Sequence, residues 1–251
     1  MGNSGDDLEL WNAAAERYEE ILTDGSDWRQ GLVLRPAILE FLGDVGGQEV
    51  LDAGSGPGLL SIELARQGAR VTAVDASEKM VTLARRRVSA QSEAITILQA
   101  DLCCELPFQN DAFDAIACNM VLMDIREIDT VLAEFCRVLR PSGRLVFSIT
   151  HPCFFMWFWE KDEAGNELFK PVDDYLTIRS DMNEFWGPTR HYHRPLTYYF
   201  AKLHSAGFLV DDFVEPVPAC PRTAELEHVW RVPDFVVIRA LLRERAARRS
   251  S

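Results

Sequence analysis

The sequence has no long hydrophobic run, no basic leader and no C-x-x-C cysteine pair. No apolar stretch reaches the length of a membrane span, and the first residues lack a basic region followed by an apolar one. The six cysteines form no C-x-x-C motif, so we expect no metal site and interpret them as reduced thiols. These absences favour a cytoplasmic protein that does not bind a membrane.

The chain is also short of positive charge. It has 26 Lys and Arg residues against 39 Asp and Glu, which gives a net charge of −13. Such a surface repels nucleic-acid phosphates, and no lysine-rich patch with interleaved aromatic residues offsets it. We therefore expect no nucleic-acid partner. The 251 residues are 47% hydrophobic, which is enough for one sizeable core, so we expect a single domain over residues 1–251.

The most informative motif is residues 50–58, Val-Leu-Asp-Ala-Gly-Ser-Gly-Pro-Gly, which an amphipathic pattern follows. A strand, a glycine turn and a helix in this order hold a nucleotide-like ligand at the strand's carboxyl end. Gly54, Gly56 and Gly58 are spaced as G-x-G-x-G, whereas a dinucleotide fingerprint places its third glycine one residue later. Asp52 would repel a pyrophosphate but suits a cationic ligand head. No Gly-Lys-Ser or Gly-Lys-Thr indicates a Walker loop.

Acids or amides recur where later strands are predicted to end. Asp75 ends a strand about 20 residues past the glycine loop, as in ribose-binding folds. Asp101 follows the predicted strand 95–99, and Asn119 with Met120 ends the strand 113–119. Each residue alone is explained as a helix cap. Their repetition after successive strands indicates one ligand-binding edge.

With these motifs the chain resembles the S-adenosylmethionine-dependent methyltransferases of the Rossmann-like class, particularly the small-molecule group that includes quinone-biosynthesis enzymes. The resemblance covers roughly residues 48–150. It implies S-adenosylmethionine as cofactor, with its methionine portion at Asp52 and the glycines, its ribose at Asp75 and its adenine at Asp101. The residues that it implies for cofactor binding are Tyr18, Asp52, Gly54, Ser55, Gly56, Gly58, Asp75, Ala76, Met80, Asp101, Leu102, Asn119 and Met120. For Tyr18, an apolar stripe that docks the first helix on the sheet is an equal alternative.

We expect an α/β fold with a seven-stranded, mostly parallel, doubly wound sheet whose last strand is antiparallel, as the resemblance implies. The parts are an N-terminal helical cap (1–44), a cofactor-binding core (45–150), a substrate lid insertion (151–195) and a closing helix and strands (196–251). Helices are predicted over 8–22, 36–42, 78–90, 127–139 and 196–206. The later strands are predicted over 144–149, 207–213 and 232–240, with Pro233 among the first residues of the last.

The predicted lid is rich in aromatic residues and interrupts the alternation of strands and helices. Its aromatic clusters fall in residues 154–159, 185–188 and 191–195. An insertion after the fifth strand lies over the carboxyl edge of the sheet, where ligands bind. A dimer interface is the alternative reading, because exposed Trp and Phe also mark partner surfaces. The chain is expected to be a monomer or a homodimer.

An activated sulfonium methyl group needs mainly an acceptor held in line with it and shielded from water. An alcohol, phenol or enol acceptor also needs a base. The candidate bases are His151, His191, His193 and Tyr192. Of these we assign catalysis to His151, Tyr192 and His193, with His151 first because it directly follows the fifth strand. Alternatively, His151 orders a turn and His193 fastens the lid. A carboxylate acceptor would instead use an arginine anchor, for which the candidates are Arg179, Arg190 and Arg194.

The resemblance and the lid predict methyl transfer from S-adenosylmethionine to an oxygen, nitrogen or activated carbon of a small aromatic or hydrophobic metabolite. One alternative is a protein that binds S-adenosylmethionine without methylating, as a regulatory or pericyclase-like relative. Another is a nicotinamide-dependent oxidoreductase, which the glycine spacing and Asp52 disfavour.

Overall fold

The computed structural model describes residues 5–25, 27–91, 95–155, 159–223 and 227–243. The helices within these ranges are α1 (Gly5–Thr23), α2 (Arg35–Leu42), α3 (Leu59–Arg66), α4 (Glu78–Gln91), α5 (Asp129–Val138), α6 (Leu196–Ser205) and α7 (Glu227–Arg231). A π-helical turn (Gln30–Leu34) precedes α2, and a 3-10 turn (Leu122–Asp124) precedes α5. No helix in the described ranges is both long enough and apolar enough to cross a membrane.

The strands are β1 (Glu49–Ala53), β2 (Arg70–Asp75), β3 (Ile95–Gln99), β4 (Phe113–Asn119), β5 (Leu139–Thr150), β6 (Glu160–Lys161), β7 (Glu167–Phe169), β8 (Arg179–Asn183), β9 (Thr189–His193), β10 (Phe208–Val214) and β11 (Phe235–Leu242). Seven of them form one sheet in the order β10-β11-β5-β4-β1-β2-β3. β11 runs antiparallel to both of its neighbours, and β1 to β5 are mutually parallel. The predicted fold class is confirmed.

Alternate residues of the central strands enter two separate cores, one on each face of the sheet. On one face Leu51 and Ile116 pack with apolar residues of α5 and α6. On the other face Val50 and Ala115 pack with α2 and α3. This alternation requires apolar residues at successive positions, which explains the continuous hydrophobic runs of β1 and β4. All carboxyl ends of β1 to β4 consequently meet at one edge between the helical layers.

Two predicted boundaries differ from the structure. β5 begins at Leu139 rather than at Arg144, because a bulge opposite Phe113 and Ala115 lets residues 139–143 join the sheet. β11 begins at Phe235, so the prediction that placed Pro233 inside the strand was wrong. A strand paired on both sides needs every backbone N–H, and proline has none.

The segment 151–195 contains two antiparallel hairpins. The first joins β6 to β7 and the second joins β8 to β9. The aromatic run at 154–159 is described only in part, since residues 156–158 lie outside the described ranges. β9 packs against α1 and against the 3-10 turn that follows β4. The second hairpin therefore lies at the carboxyl edge of the sheet.

Candidate cofactor and acceptor site

The glycine loop joins β1 to α3 at the carboxyl edge. The N–H groups of Gly54 and Ser55 both donate to the carbonyl of Val74 at 2.9 Å, which ties the loop to β2. Gly54 has φ of +74°, and a Cβ atom there would lie 2.4 Å from Val121 Cγ2. Any side chain at Gly54 would thus be strained and would also collide with the opposite wall of the site.

Asp75 closes the loop from the end of β2. Its two carboxylate oxygens accept hydrogen bonds from the Gly56 N–H and the Ser77 N–H, each at 2.9 Å. Burial raises the pKa of this carboxyl, while the two N–H donors oppose the rise. Each oxygen has a further lone pair for a ligand hydroxyl. This geometry suits the pair of ribose hydroxyls that the resemblance assigns to Asp75.

Asp52 lies beneath the loop and is almost fully buried. Ser61 Oγ donates to its carboxylate at 2.5 Å. Burial raises the pKa of Asp52 to about 7, and the nearby negative charge of Asp75 adds to the rise. A cationic ligand group beside Asp52 would favour the ionised carboxylate.

Two adjoining cavities follow the loop. The first is the larger of the two. Tyr18, Gly54, Gly56 and Asn119 line both of them. Together they make one cleft along the carboxyl edge, with Asp75 in its middle part.

The second cavity has the hydrogen-bond donors that a methionine carboxylate needs and the acceptor that its ammonium needs. Arg35, Ser55 and Asp52 line it. In the described part of the chain, Ser55 Oγ is buried without a hydrogen-bond partner, so a polar atom remains available to a ligand. Arg35 donates to Glu63 at 2.8 Å, which holds the guanidinium in place. A zwitterionic head therefore fits here, with Arg35 and Ser55 for its carboxylate and Asp52 for its ammonium.

The first cavity is lined by the predicted ribose and adenine residues and by an apolar wall. The residues on it are Leu8, Trp11, Tyr18, Gly54, Gly56, Asp75, Ala76, Ser77, Met80, Asp101, Leu102, Asn119, Met120, Val121, Asp124 and Ile125. Every predicted cofactor residue except Gly58 thus lies on one cavity or the other. Gly58 instead begins α3 and faces α4, where its Cβ position is 3.3 Å from Ala84 Cβ.

The chain turns sharply at Met120, which has φ of +60°. Its N–H donates to Ser148 Oγ at 2.9 Å, and Ser148 Oγ donates to Asn119 Oδ1 at 2.7 Å. Asn119 Nδ2 donates in turn to Gln30 Oε1 at 3.0 Å. This chain of bonds connects β4, β5 and the π-helical turn, and it fixes the wall between the two cavities.

Aromatic side chains of α1 and the hairpin β8–β9 cover the cleft. Trp11 and Trp186 stack at 6.1 Å between ring centroids, and Tyr18 meets each of them edge-on. Burial raises the pKa of Tyr18. Asp7 anchors α1 to β9, because it accepts hydrogen bonds from Arg190 at 3.0 Å and from the Tyr192 hydroxyl at 2.8 Å. Residues of α1 and of the hairpin β8–β9 therefore form the cover together.

The three predicted catalytic residues lie away from the two cavities and have protein partners. His151 Nε2 contacts Glu215 Oε1 at 2.8 Å, and its Nδ1 accepts the Cys153 N–H at 3.1 Å. Burial lowers the pKa of His151. His193 Nε2 donates to the Tyr175 carbonyl at 2.9 Å. These contacts match the alternative in which the histidines order the turn and fasten the lid.

The predicted arginine anchors also have protein partners. Arg194 is buried and donates to three carbonyls, those of Leu122 at 3.0 Å and of Ile125 and Arg126 at 2.6 Å. Arg190 donates to Asp7, and Arg179 donates to Asp181 at 3.1 Å. Arg194 therefore shapes the 3-10 turn on the cleft wall.

Asp124 is a cleft residue that the sequence interpretation missed. It ends the 3-10 turn, lines the first cavity and lies with Oδ1 3.8 Å from His191 Nδ1. His191 Nε2 is 3.1 Å from Thr150 Oγ1. An acid shortly after a strand's carboxyl end was the signal used for Asp75 and Asp101, and it would have found Asp124 as well.

Comparisons with known proteins agree with this geometry. Residues 51–147 match the family model described as a methyltransferase domain. The chain is 36% identical over 135 residues to a demethylmenaquinone methyltransferase of Clavibacter sepedonicus. The aligned residues cover 54% of this chain and 53% of that protein. The chain thus spans about half the length of the curated relatives it matches.

Solved structures match over more of the chain. A Listeria monocytogenes protein assigned as an S-adenosylmethionine-dependent methyltransferase is 30% identical, with a TM-score of 0.72 over 83% of this chain and 97% of that one. A Mesorhizobium loti S-adenosylmethionine-dependent methyltransferase is 27% identical, with a TM-score of 0.71 over 82% of this chain and 96% of that one. S-adenosylmethionine is accordingly the cofactor that the cleft accommodates. The chain belongs to the Rossmann-like S-adenosylmethionine-dependent methyltransferases.

Proposed function

We propose that the protein transfers the methyl group of S-adenosylmethionine to a small aromatic or hydrophobic metabolite. The observation that carries this proposal is the composition of the cleft. One end has the polar groups that suit the cofactor, and the wall beyond Asn119 is apolar, with Met120, Val121 and Ile125. The resemblance implies that Asn119 and Met120 lie near the methyl group of the cofactor. An apolar wall at that place favours a hydrophobic acceptor over a sugar or a phosphate.

When bound, S-adenosylmethionine supplies an activated methyl group on a positively charged sulfur. The chain's own residues do the remaining work. Asp75, Ser55 and Arg35 hold the cofactor, and the aromatic cover of Trp11 and Trp186 keeps water out of the cleft. Aromatic faces also tolerate a neighbouring positive charge.

A reduced quinone is the first acceptor to test. The Clavibacter relative is named as a demethylmenaquinone methyltransferase, and we extend that acceptor class to this chain as part of the proposal. The family match ends at residue 147, before the lid begins. The lid is therefore the part on which the choice of acceptor depends.

The test incubates purified chain and methyl-labelled S-adenosylmethionine with a demethylated naphthoquinol and, separately, with fractionated metabolites. Label in the quinol supports the full proposal, and label in another hydrophobic fraction supports methyl transfer with a different acceptor. Tight cofactor binding without transfer to any fraction would favour the nonmethylating alternative.

Replacing Asp75 tests the cofactor site separately. Asp75→Asn is expected to weaken S-adenosylhomocysteine binding by roughly 10- to 100-fold, because a charge-assisted hydrogen bond contributes about 1.5–3 kcal/mol. Isothermal titration calorimetry measures this change. Asp173→Asn, an exposed residue of the lid, is the control and should bind as the unmodified chain does.

We also place the protein in a reducing compartment such as the cytoplasm. All six cysteines lie within the described part of the chain as thiols. A protein of this kind does not depend on an oxidising environment for its fold.

A further inference from the structure

The structure assigns a proton-accepting role to Asp124 and His191, which together take the proton of a hydroxyl- or amine-bearing acceptor during methyl transfer. The inference rests on the proposed function and deepens it. It replaces the three residues to which the sequence assigned catalysis with Asp124, which lines the cleft, and with His191 behind it. It also specifies the acceptor as a molecule that enters the cleft with an O–H or N–H group, such as a phenol or a hydroquinone.

Position is the first reason. Asp124 lines the first cavity beside Val121 and Ile125, on the apolar part of the cleft wall, whereas Asp52 lines the second cavity. Its side chain is 13% exposed, so it is reachable from the cleft but shielded from bulk water. A base must lie within reach of the acceptor proton, and this wall is where an apolar acceptor would rest.

The second reason is the rigidity of the turn that carries Asp124. Arg194 donates to the carbonyls of Leu122 and Ile125, which flank Asp124 on both sides. The Arg194 guanidinium also lies over the rings of Tyr192 and Tyr198, at 5.1 Å and 5.0 Å from their centroids. A buried, fully bonded arginine holds the backbone of the turn, so Asp124 has a defined place on the wall.

The third reason is the partner behind Asp124. His191 Nδ1 lies 3.8 Å from Asp124 Oδ1, and Thr150 Oγ1 lies 3.1 Å from His191 Nε2. If Thr150 accepts the Nε2–H proton, the Nδ1 lone pair faces Asp124. A small side-chain rotation then makes the Asp124 to His191 hydrogen bond. The side chains of Asp124, His191 and Thr150 are all mostly buried, so this arrangement of hydrogen bonds is protected from solvent.

The pKa values of His191 and Asp124 are shifted in opposite directions by burial. Burial lowers the pKa of His191 to about 4, so its ring is neutral near pH 7. Burial raises the pKa of Asp124 well above the ordinary value, and the negative charge of Asp7 adds to this while Arg194 opposes it. The charged and titratable groups around the pair are Asp7 and Tyr18 of α1, Tyr199 of α6, Arg179 and Asp181 of β8, His193 of β9, and Arg194.

The proton balance is simple. The acceptor oxygen bonds to the methyl carbon as the methyl–sulfur bond breaks, and sulfur keeps the electron pair of that bond. The acceptor proton passes to one carboxylate oxygen of Asp124, and the carboxyl so formed donates a hydrogen bond to the neutral His191 Nδ1. The pair gains one proton in total, which it returns to water after the product leaves. No oxidant or metal takes part.

The kinetic test compares four variants in the methyl-transfer assay over a range of pH. Asp124→Asn is expected to lower kcat by roughly 100-fold or more at every pH, since an amide does not accept the acceptor proton. His191→Gln is expected to move the acid limb of the rate profile downward by about one pH unit, because the protonated Asp124 carboxyl then loses its Nδ1 acceptor. The double variant should be no slower than Asp124→Asn alone, as groups that act as a unit are not additive. His204→Gln, on the exposed face of α6, is the matched control.

A second readout needs no cofactor. In protein labelled with nitrogen-15 at histidine, NMR of the ring nitrogens should show His191 as the Nε2–H tautomer and neutral down to about pH 5. Thr150→Val should disturb this tautomer without changing the fold. A His191 ring that carries its proton on Nδ1 would overturn the inference.

The kinetic results also separate this inference from the proposed function. If the unmodified chain transfers methyl groups and Asp124→Asn does so within about threefold of it, the pair is excluded and the function stands. An equal loss from His191→Gln at every pH would indicate a structural role and would likewise exclude the pair. If the unmodified chain transfers no methyl group to any acceptor, the proposed function fails together with the pair.

Discussion

Three carboxylates of the cleft differ in their surroundings, and those surroundings assign their tasks. Asp52 is buried beside a serine hydroxyl, Asp75 holds two backbone N–H groups, and Asp124 faces an apolar wall. Burial raises the pKa of each of them. A ligand with a positive charge lowers the free-energy cost of ionising these buried carboxyls, whereas a dinucleotide phosphate would increase that cost. The charge of the site therefore selects a sulfonium and ammonium ligand.

The raised pKa of Asp52 predicts how cofactor affinity changes with pH. Because a ligand ammonium favours the ionised carboxylate, binding must remove a proton from Asp52 below its pKa of about 7. Affinity for S-adenosylhomocysteine should therefore rise by up to about tenfold per pH unit between roughly pH 5.5 and 7, and then level off. Calorimetric titrations across this range measure the slope.

Asp52→Asn is the variant for this measurement, because the amide oxygen can still accept from Ser61. It should remove most of the pH dependence while it weakens binding at pH 8. If the slope is the same in both proteins, Asp52 does not face the ammonium.

At the residue level, the sequence was informative wherever a motif and a strand end coincide. Asp52, Asp75 and Asp101 could be located because each follows a predicted strand, and the parallel sheet brings strand ends together. Gln30 and Arg35 could not be found, because their helical segments reach the cleft only through packing of the N-terminal part on the sheet. The contacts of His151 with Glu215 join residues 64 positions apart, a distance that no local pattern encodes.

Among the structural elements, α1 and the hairpin β8–β9 depend on one another. Trp11 and Tyr18 of α1 meet Trp186 of the hairpin turn, and Asp7 binds Arg190 and Tyr192 of β9. Asp7 is 1% exposed, so its negative charge depends on these two donors rather than on water. Both elements cover the cleft and are held together by these contacts. A substitution that removes a contact on one element therefore weakens the packing of the other.

Asp7→Asn tests this dependence. The substitution removes the charge that Arg190 and Tyr192 share, and we expect it to lower the free energy of unfolding by about 1–3 kcal/mol. It should also weaken S-adenosylhomocysteine binding by roughly tenfold, since about 1.4 kcal/mol of cover stability corresponds to that factor. Urea unfolding and calorimetry give the two values.

The control for Asp7→Asn is Asp6→Asn, one position earlier on the exposed side of the same helix. This variant should change neither the free energy of unfolding nor the affinity for S-adenosylhomocysteine by much. Equal effects from the two substitutions would mean that helix charge, and not the contact with β9, is responsible.

The elements of the core could be predicted more closely than those of the lid. The predicted bounds of β3 and β4 equal the observed ones, and β2 ends at Asp75 as predicted, because apolar runs and flanking turns mark a parallel strand. The hairpin β8–β9 carries Arg179, Asp181 and Asn183 on one strand and shows no apolar alternation. Its pairing is stabilised by α1 and the 3-10 turn, which lie far away in the sequence.

For the whole molecule, the family match and the fold divide the chain in the same way. The matched residues 51–147 contain most of β1, all of β2 to β4, most of β5 and the glycine loop that lines the cleft. The cover of the cleft comes from outside that segment, from α1 and the lid. This division explains why sequence patterns predicted the cofactor but not the acceptor.

The net charge of −13 predicts the behaviour of the whole molecule towards nucleic acids. We expect no shift of tRNA or duplex DNA in gel electrophoresis at low salt and protein concentrations up to about 10 µM, because phosphate repulsion outweighs any local contact. A salt-sensitive complex in this range would contradict the expectation. A basic nucleic-acid-binding protein run beside it shows that the assay detects binding.

The position of β11 determines when the sheet can be completed during synthesis. β10 pairs only with β11 within the seven-stranded sheet, and β11 separates it from β5. A nascent chain can thus assemble β1 to β5 with the glycine loop while residues 235–242 are still inside the ribosome. Until that strand arrives, the outer edge of β5 stays open to other chains, so the interval before release is when the protein is most exposed to misassembly.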